Sequence, residues 1–361
     1  MKRREFLKKA GVVAASASLS PLLFANAQSS RFRFGMVTSW PVSLDTIYGG
    51  ALDTAKFLRE VTDGDVDIEV FPAGAQVGGL EVYDAVSSGA FEFGHTASYY
   101  YVGKDPTHGF FTSVPFGLNV QQMNAWFYDG NGQALWDEIN ARDNLIAFPA
   151  GNTGVQMGGW FNKEINTPED IIGTSMRIPG LGGQVFTRAG GNTQTLPGGE
   201  IFLALERGTV DAAEWVGPYD DEILGLNRAA RFYYAPGWHE PGPTLGTYVN
   251  LDTYNGLPTD IQDAIQVACR AANIQMISLY ESRNGPALRR IVEGGTELKT
   301  FPQVVLEHLE RSMNELHDIN AAANPLYARV LEDYRQFASD IRAWSEVSEY
   351  AWHRYVYGDE S

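Results

Sequence analysis

Short apolar runs alternate with helix-like runs through the first two thirds of the chain, and this alternation restricts the fold more than any other feature. Residues 32–38 and 66–71 have the composition of strands, and residues 44–61 between them have the apolar spacing of a helix. Residues 80–89 then predict a second helix, and 91–94 predict the next strand. Strands and helices in this order predict an α/β lobe with parallel strands.

The same order returns after residue 145. Residues 145–148, 154–161 and 175–178 predict strands, and residues 167–173 and 200–206 predict helices between and after them. Two blocks of this kind predict two α/β lobes.

From Pro258 onward the pattern is almost entirely helical. Residues 259 to about 282, 302–323 and 325–357 each have the apolar spacing of an amphipathic helix. The last stretch carries large aromatic side chains that are expected to pack either on the chain's own lobes or on a second subunit, and both remain open. These side chains are Trp344, Tyr350, Trp352, Tyr355 and Tyr357.

No low-complexity linker separates the lobes, so shared strands or helices are expected to join them, which suits a hinge. We assign residues 28–152 plus about 236–280 to lobe I. Residues 153–235 plus about 281–335 form lobe II, and residues 336–361 form a C-terminal helix that is a candidate dimerisation element.

The first 27 residues have the pattern of an export signal, with a basic start, a weakly apolar stretch over 11–24 and a small-residue cleavage site at Ala25-Asn26-Ala27. The apolar stretch is too short to span a bilayer. Arg3-Arg4 resembles a twin-arginine signal, which predicts export of the folded protein to the periplasm.

The charge balance excludes one class of partner. Removal of residues 1–27 takes away five basic residues and one acidic residue, and changes the formal net charge from −17 to about −21. Such a surface repels nucleic acid, whose binding depends on Lys and Arg at phosphates. A site for an organic acid must therefore carry local positive charge from an arginine, a cation or helix N-termini.

Common enzyme signatures are absent from the sequence. It contains no nucleophile elbow, no paired-histidine metal motif and no phosphate-binding loop. The single cysteine, Cys269, lies in a predicted helix, so neither a disulfide framework nor a thiolate metal cluster can form.

Gly-rich segments with polar and aromatic residues stand at the predicted strand ends, where open α/β sheets bind ligands. They cover residues 95–101, 151–160, 176–180 and 211–221. These segments, together with a strand-end Arg177, make the chain resemble the periplasmic receptors of tripartite ATP-independent periplasmic (TRAP) transporters, in the branch that binds 2-oxo acids such as pyruvate. The resemblance covers essentially the whole chain after the signal. It rests on residues 43–47, 103–106, 151–160, 208–211, 214–222 and 236–238.

Arg177 is the first candidate for a ligand clamp. A planar guanidinium makes two parallel hydrogen bonds to a carboxylate, which Lys cannot do. From the residue alone, a structural salt bridge at a strand end is an equal alternative. The resemblance places the ligand-binding arginine of the family at this position.

The resemblance also implies that the acid is bound together with a cation. Its ligands would be Gln156, Glu214 and the main-chain carbonyl of Trp215, with Glu240 as a fourth. These hard oxygen donors suit Na⁺, or alternatively Ca²⁺, and disfavour zinc or copper.

Aromatic residues would supply the walls of such a site. Trp215, Tyr100 and Tyr101 are the candidates, and Asn152 is a further polar one. Side chains alternate along a strand, so at least one of the tyrosines at 99–101 is expected to point into the core.

The resemblance thus implies a two-lobed α/β periplasmic binding protein with a hinge and long C-terminal helices. Its partners would be a small organic acid, the membrane subunits of a TRAP transporter and a second copy in a homodimer. Two alternatives remain: the same fold binding a 2-hydroxy acid such as lactate with Ca²⁺, or an exported enzyme.

Overall fold

Residues 30–358 are described in the computed structural model of this chain, and they form two β-sheets with helices packed around them. The predicted export signal over 1–27 lies outside the described residues. The strands are β1 (Phe32–Thr38), β2 (Val66–Phe71), β3 (Phe93–Thr96), β4 (Leu145–Asn152), β5 (Gly159–Phe161), β6 (Ser175–Arg177), β7 (Asn192–Gln194), β8 (Ala212–Ala213), β9 (Phe232–Ala235), β10 (Thr244–Asn250) and β11 (Glu297–Thr300). The helices are α1 (Ile47–Val61), α2 (Val82–Ser87), α3 (Val120–Tyr128), α4 (Gly132–Ala141), α5 (Gly180–Arg188), α6 (Gly198–Glu206), α7 (Pro218–Leu224), α8 (Leu251–Gly256), α9 (Thr259–Glu293), α10 (Gln303–Ala323), α11 (Pro325–Val347) and α12 (Glu349–Tyr357).

The two sheets contain different parts of the chain. The first sheet has the strand order β2-β1-β3-β10-β4, and the second has the order β11-β9-β5-β8-β6-β7. Both are mixed, because β10 is antiparallel to β3 and β4, and β5 is antiparallel to β8 and β9. The predicted α/β class with long C-terminal helices is confirmed.

The chain passes between the sheets three times. It crosses after β4, returns after β9, and crosses again along α9, which is 35 residues long and leads into β11. This helix packs on α1 and β4 of the first sheet's lobe and on α7 of the other lobe. Shared segments rather than a linker therefore join the lobes.

The C-terminal helices divide between the lobes. α10 packs on α5 beside the second sheet, whereas α11 packs on α3 and on the short 3₁₀ helix Pro106–Phe111 beside the first. A hydrogen bond of 2.8 Å from the Leu118 amide to the Tyr334 hydroxyl fixes this docking. Residues 325–335 thus contact lobe I, although the sequence analysis places them in lobe II. The other lobe boundaries stay a proposal, which the strand membership of the two sheets supports.

Several element bounds differ from the sequence expectation. The strand expected over 154–161 is limited to β5, because Gly154 adopts a φ of +72° that interrupts an extended chain, and the strand begins only at Gly159. The helix expected over 167–173 is only a 3₁₀ turn, Pro168–Asp170. The expected helix over 325–357 is broken at Ser348. Residue 336 lies within α11, so the separate C-terminal helix begins at Glu349 and not at residue 336.

One apolar cluster lies between the lobes. It includes Trp40, Ile47 and Tyr99 from the first lobe and Trp160 and Trp215 from the second. Within residues 30–358, no helix is long and apolar enough to span a membrane.

Candidate functional site

Arg177 stands at the end of β6, and the pairing of β6 with β8 sets it beside Glu214. In that register Arg177 is opposite Ala213. The next residue of the chain, Glu214, is therefore adjacent to Arg177. Both side chains are buried and form an ion pair. Arg177 Nη1 also donates to the Glu214 main-chain oxygen at 2.9 Å, and Nε donates to the Leu196 carbonyl at 3.1 Å.

Arg177 keeps one nitrogen for a ligand. Its guanidinium lies 5.2 Å from the ring centroid of Trp215, and a Cβ at Gly198 would come within 2.7 Å of that ring, so the glycine makes room for it. Nη2 has no hydrogen-bond partner in the described chain. A carboxylate can therefore meet Nη2, whereas the predicted two-nitrogen clamp would require an internal bond to open.

Three potential metal-binding side chains converge next to this arginine. Glu214, His239 and Glu240 are buried, and one ligand atom of each lies within 4.8 Å of the others. His239 Nε2 is 3.4 Å from Glu214 Oε2 and 3.9 Å from Glu240 Oε1. Burial and the charge of Glu214 raise the pKa of Glu240 well above its usual range.

This place holds an unusual density of unsatisfied polar atoms. Eight of the sixteen buried side-chain nitrogen and oxygen atoms without a hydrogen-bond partner in the described chain lie here, and buried polar groups are normally paired. They are Gln156 Oε1, Arg177 Nη2, Glu214 Oε2, Trp215 Nε1, His239 Nδ1 and Nε2, and Glu240 Oε1 and Oε2.

The donor set fits a hard cation beside an anionic ligand. Four of the unpartnered atoms are amide or carboxylate oxygens, the ligands that Na⁺ and Ca²⁺ prefer. Arg177 Nη2 is a charged donor suited to a carboxylate.

A small pocket between the lobes adjoins this cluster, and Gln156, Trp215 and Glu240 are among its lining residues. Two tyrosines also line it, but not the expected pair. Ser98–Tyr101 is a 3₁₀ helix rather than a strand, and Tyr99 and Tyr100 face the pocket. Tyr101 turns away: its hydroxyl accepts from the Tyr83 amide at 3.1 Å and its ring lies 4.6 Å from that of Tyr83 in the core. Tyr101 is therefore not a wall of the pocket.

Burial also acts on Tyr100, one of the two tyrosines that line the pocket. It raises the pKa of Tyr100 to about 12, although the nearby Arg177 acts in the opposite direction. Tyr100 therefore presents a neutral hydroxyl, which can donate a hydrogen bond.

Asn152 shapes the site without lining it. Its Nδ2 donates to the Gly242 carbonyl at 3.0 Å, and its Oδ1 accepts from the Gly154 amide at 2.8 Å, which holds the two crossing segments together. Gln156 does line the pocket, and its Nε2 donates to the Thr153 hydroxyl at 3.1 Å. That bond leaves Gln156 Oε1 available to a ligand.

Sequence reasoning missed His239 and Trp40. Trp40 follows β1 and lines the pocket. A lone histidine or tryptophan carries no spacing signal. The only hint for His239 was its place between Trp238 and Glu240, in a segment already singled out.

The chain is similar to proteins of known class. A model of the family described as bacterial extracellular solute-binding protein, family 7, matches residues 36–324. The monocarboxylate 2-oxoacid-binding periplasmic protein of Nostoc sp. is 49% identical over 361 residues, which cover 99% of each chain.

Two solved structures are similar over nearly their full length. A TRAP transporter solute-binding protein from Bordetella bronchiseptica has a TM-score of 0.89 and 40% identity, covering 91% of this chain and 98% of that one. It is a mixed-occupancy dimer with copurified calcium and picolinate in one active site. A TRAP periplasmic solute-binding protein from Pseudoalteromonas atlantica, with bound sodium and pyruvate, has a TM-score of 0.86 and 38% identity, covering 89% and 98%.

These relatives are solute-binding proteins, and the family is defined by binding rather than by catalysis. The enzyme alternative is therefore dropped. Since the family model covers most of the chain, this protein belongs to family 7 of the bacterial extracellular solute-binding proteins.

Proposed function

We propose that this chain is the receptor of a TRAP transporter and that it binds a 2-oxo acid such as pyruvate together with a cation. The observation that carries the proposal is the group of eight buried, unpartnered polar atoms around Arg177 and Glu214. The names of the similar proteins, which bind 2-oxo acids or hold pyruvate beside a metal ion, agree with it.

The charges of the site explain why a cation is needed. Arg177 is already paired with Glu214, and Glu240 adds a second buried carboxyl group. A 2-oxo acid brings one more negative charge. Without a cation, the raised pKa of Glu240 would keep that carboxyl group protonated. With Glu240 ionised, closing the lobes over it and the charged ligand would cost several kcal/mol for each uncompensated ion.

The residues divide the task by their chemistry. Arg177 Nη2 would donate to the carboxylate, while Gln156 Oε1, Glu214, Glu240 and the Trp215 carbonyl would hold the cation. The bound cation would supply the missing positive charge and accept the carboxylate and keto oxygens. Na⁺ is the proposed ion, with Ca²⁺ as the alternative.

The proposal extends to the cellular setting. Residues 1–27 would direct export, so the mature protein would act in the periplasm and deliver its ligand to the membrane subunits of the transporter. The exposed aromatic side chains of α12 would form part of a homodimer contact. A dimer of a similar protein agrees with that assignment.

A calorimetric and thermal-shift titration tests the function. Chelator-treated mature protein is titrated with pyruvate, lactate or acetate, in cation-free buffer and again with Na⁺ or Ca²⁺ restored. We expect pyruvate to raise the melting temperature strongly only with an ion, because its two oxygens chelate the cation. Acetate lacks the second oxygen and should bind much more weakly.

Each outcome bears on a different part of the proposal. Equal affinity for pyruvate with and without ions would remove the cation. Tighter binding of lactate with Ca²⁺ would favour the 2-hydroxy acid alternative. No response to any of the three acids would overturn the proposed function.

A further inference from the structure

One bulky residue of the first lobe has a strained backbone. Phe116, in the loop before α3, has a φ of +58°. Within residues 30–358 the other non-glycine residues with a positive φ are Asp63 and Asn144, and both residue types tolerate this conformation better than phenylalanine does. Strain of this kind persists only where surrounding contacts impose it, and it is found most often at functional sites.

The main contact of Phe116 is with the segment that runs from β9 to β10. Its amide donates to the Trp238 carbonyl at 2.8 Å, and its ring stacks on that of Trp238 with the centroids 5.7 Å apart. The chain continues from Trp238 directly into His239 and Glu240, which form the buried cluster with Glu214. Phe116 therefore packs against the segment that carries two of the three potential metal-binding side chains.

The loop of Phe116 is anchored to α11 on its other side. The Leu118 amide donates to the Tyr334 hydroxyl at 2.8 Å, and Arg342 Nη2 donates to the Phe116 carbonyl at 3.3 Å. Contacts with Trp238 and with α11 thus hold the residue from two directions. Relaxation of its backbone would break hydrogen bonds on both sides.

The segment after Trp238 is closely packed on both lobes. A Cβ at Gly242 would overlap the Val120 amide nitrogen in the first lobe, and a Cβ at Gly182 of α5 in the second would come within 2.9 Å of His239 Cβ. The ring of His239 lies 5.3 Å from that of Trp238. A displacement of Trp238 would therefore also displace His239.

Side-chain hydrogen bonds do not fix the two potential ligands of this segment. His239 Nδ1 and Nε2 and both carboxyl oxygens of Glu240 have no hydrogen-bond partner in the described chain. Metal ligands are usually oriented by such partners. Here their orientation depends instead on the backbone of residues 238–240, which Phe116 supports.

We propose that Phe116 is a positioning residue for the cation, because its strained backbone and its ring hold Trp238 and the two residues after it in the arrangement that binds the ion. The inference rests on the proposed function. It makes cation affinity depend on a residue that does not line the pocket. Replacement of a group that orients metal ligands typically lowers metal affinity by about 10- to 100-fold.

The test measures the Na⁺ or Ca²⁺ concentration that gives half of the maximal rise in melting temperature at a fixed pyruvate concentration. Phe116→Gly is the informative variant, because glycine adopts a positive φ without strain, so the turn persists and only the ring is lost. We expect the half-maximal cation concentration to rise by about 10-fold or more. Calorimetry at saturating cation should give a nearly normal pyruvate affinity, because the ion then fills the site again.

Three further variants separate the ring from the backbone. Phe116→Tyr keeps the stacked ring and should keep the normal cation requirement. Asp63→Gly is the matched control, because it also places glycine at a positive φ but at an exposed position in another loop. If Phe116→Gly folds poorly, Phe116→Leu keeps an apolar side chain without the ring and should raise the half-maximal concentration by a smaller factor.

A purely structural role predicts a different pattern. The melting temperature of ion-free Phe116→Gly would fall while its half-maximal cation concentration matched that of the unchanged protein, and this result overturns the inference. A loss of pyruvate affinity that saturating cation does not restore overturns it as well. If the unchanged protein itself shows no cation-dependent binding of pyruvate, the proposed function fails, and the inference fails with it.

Discussion

Two of the three guanidinium nitrogens of Arg177 are already bound inside the protein, to Leu196 and Glu214. The arginine therefore supports the structure as well as the ligand. Arg177→Lys keeps the charge but removes the donor to Leu196 and the planar group over Trp215. We expect ligand affinity to fall by about 2–4 kcal/mol and the melting temperature to fall as well, measured by calorimetry and thermal unfolding.

Arg188→Lys is the control for this substitution. Arg188 lies in the same lobe and pairs with Glu315 at the surface, where ion pairs contribute little. It should leave affinity and melting temperature nearly unchanged. Affinity within twofold of normal in Arg177→Lys would remove Arg177 from the site.

For single residues, the sequence predicted which side chains meet at the site better than it predicted where each side chain points. Gln156, Glu214 and Glu240 meet at one place, and their binding roles stay a proposal. The error at Tyr101 arose because a 3₁₀ helix repeats every three residues, whereas the expectation assumed the alternation of a strand. His239 could not be found, since its adjacent Glu240 gives no spacing signal and its other partner, Glu214, comes from a distant part of the chain.

Among the elements, α7 and α9 form a polar contact with the first lobe close to the site. Asp220 of α7 accepts from the Thr46 hydroxyl, in the turn before α1, at 2.5 Å and from the Tyr280 hydroxyl of α9 at 2.7 Å. All three side chains are buried. The carboxylate therefore joins both lobes and the connecting helix.

Thr46→Val tests whether this contact stabilises the closed form. The substitution keeps the shape but removes a donor to a buried carboxylate, which is worth about 1.5–3 kcal/mol. We expect the apparent affinity to fall by about tenfold or more and ligand dissociation to accelerate, because the closed state is less populated. Stopped-flow displacement measures the dissociation rate.

Thr54→Val provides the comparison on the same helix. Thr54 is also buried, but its hydroxyl donates to the Gly50 carbonyl within α1. Its replacement should leave the dissociation rate unchanged. Equal rates in both variants would show that the Thr46 contact does not govern closure.

The bounds of α9 show how packing overrides a local signal. The sequence predicted an end near Ser282, shortly before Gly285 and Pro286, yet the helix continues to Glu293 with Pro286 inside it. Ala287 and Ile291 beyond the proline are buried. Burial of that last face offsets the cost of the proline, which no short window of sequence can reveal.

For the whole molecule, buried histidines link stability to pH. Burial lowers the pKa of His317 to about 3 and of His108 to about 4. Such groups are neutral when folded and take up protons on unfolding. Their stabilising contribution is complete above about pH 6.5 and is lost as the pH falls toward 4 and below.

His317→Gln isolates this effect, because His317 lies away from the ligand pocket and bonds the Tyr327 hydroxyl at 2.9 Å. We expect the unchanged protein to lose more stability between pH 7 and 4.5 than the variant, measured as urea midpoints. The unchanged protein must be compared with the variant because other buried groups also titrate in this range. Burial raises the pKa of Asp220 to about 6 and of Asp221 to about 7, so these two groups increase the stability of the folded state as the pH falls. Parallel pH profiles would contradict the prediction.

The architecture was predictable because its local patterns agree with the global fold. The α/β class, the two blocks and the helical C-terminal third all follow from periodicity. The docking of α11 on lobe I could not be predicted from periodicity. It depends on long-range hydrogen bonds such as those of Tyr334 and Asp333, which reach Leu118 and Trp126.

The C-terminal helix α12 has no buried residue, in contrast to α11 before it. Trp352 is 60% exposed and Tyr355 is 86% exposed. A buried aromatic side chain covers roughly 150–250 Å², so the five aromatic residues from Trp344 to Tyr357 could supply about the 800 Å² per partner of a standard interface.

Deletion of residues 349–361 should therefore convert a dimer into a monomer without changing affinity for the ligand. The cut belongs after Ser348, because Ser345 of α11 still accepts from Gln122 Nε2 at 3.0 Å and an earlier end would disturb lobe I. Light scattering measures the mass, and calorimetry measures binding. Trp352→Gln with Tyr355→Gln should weaken the dimer in the full chain, which separates lost contacts from lost folding. A monomeric mass for the intact mature protein at micromolar concentration, or a dimer that survives the deletion, would exclude α12 as the contact.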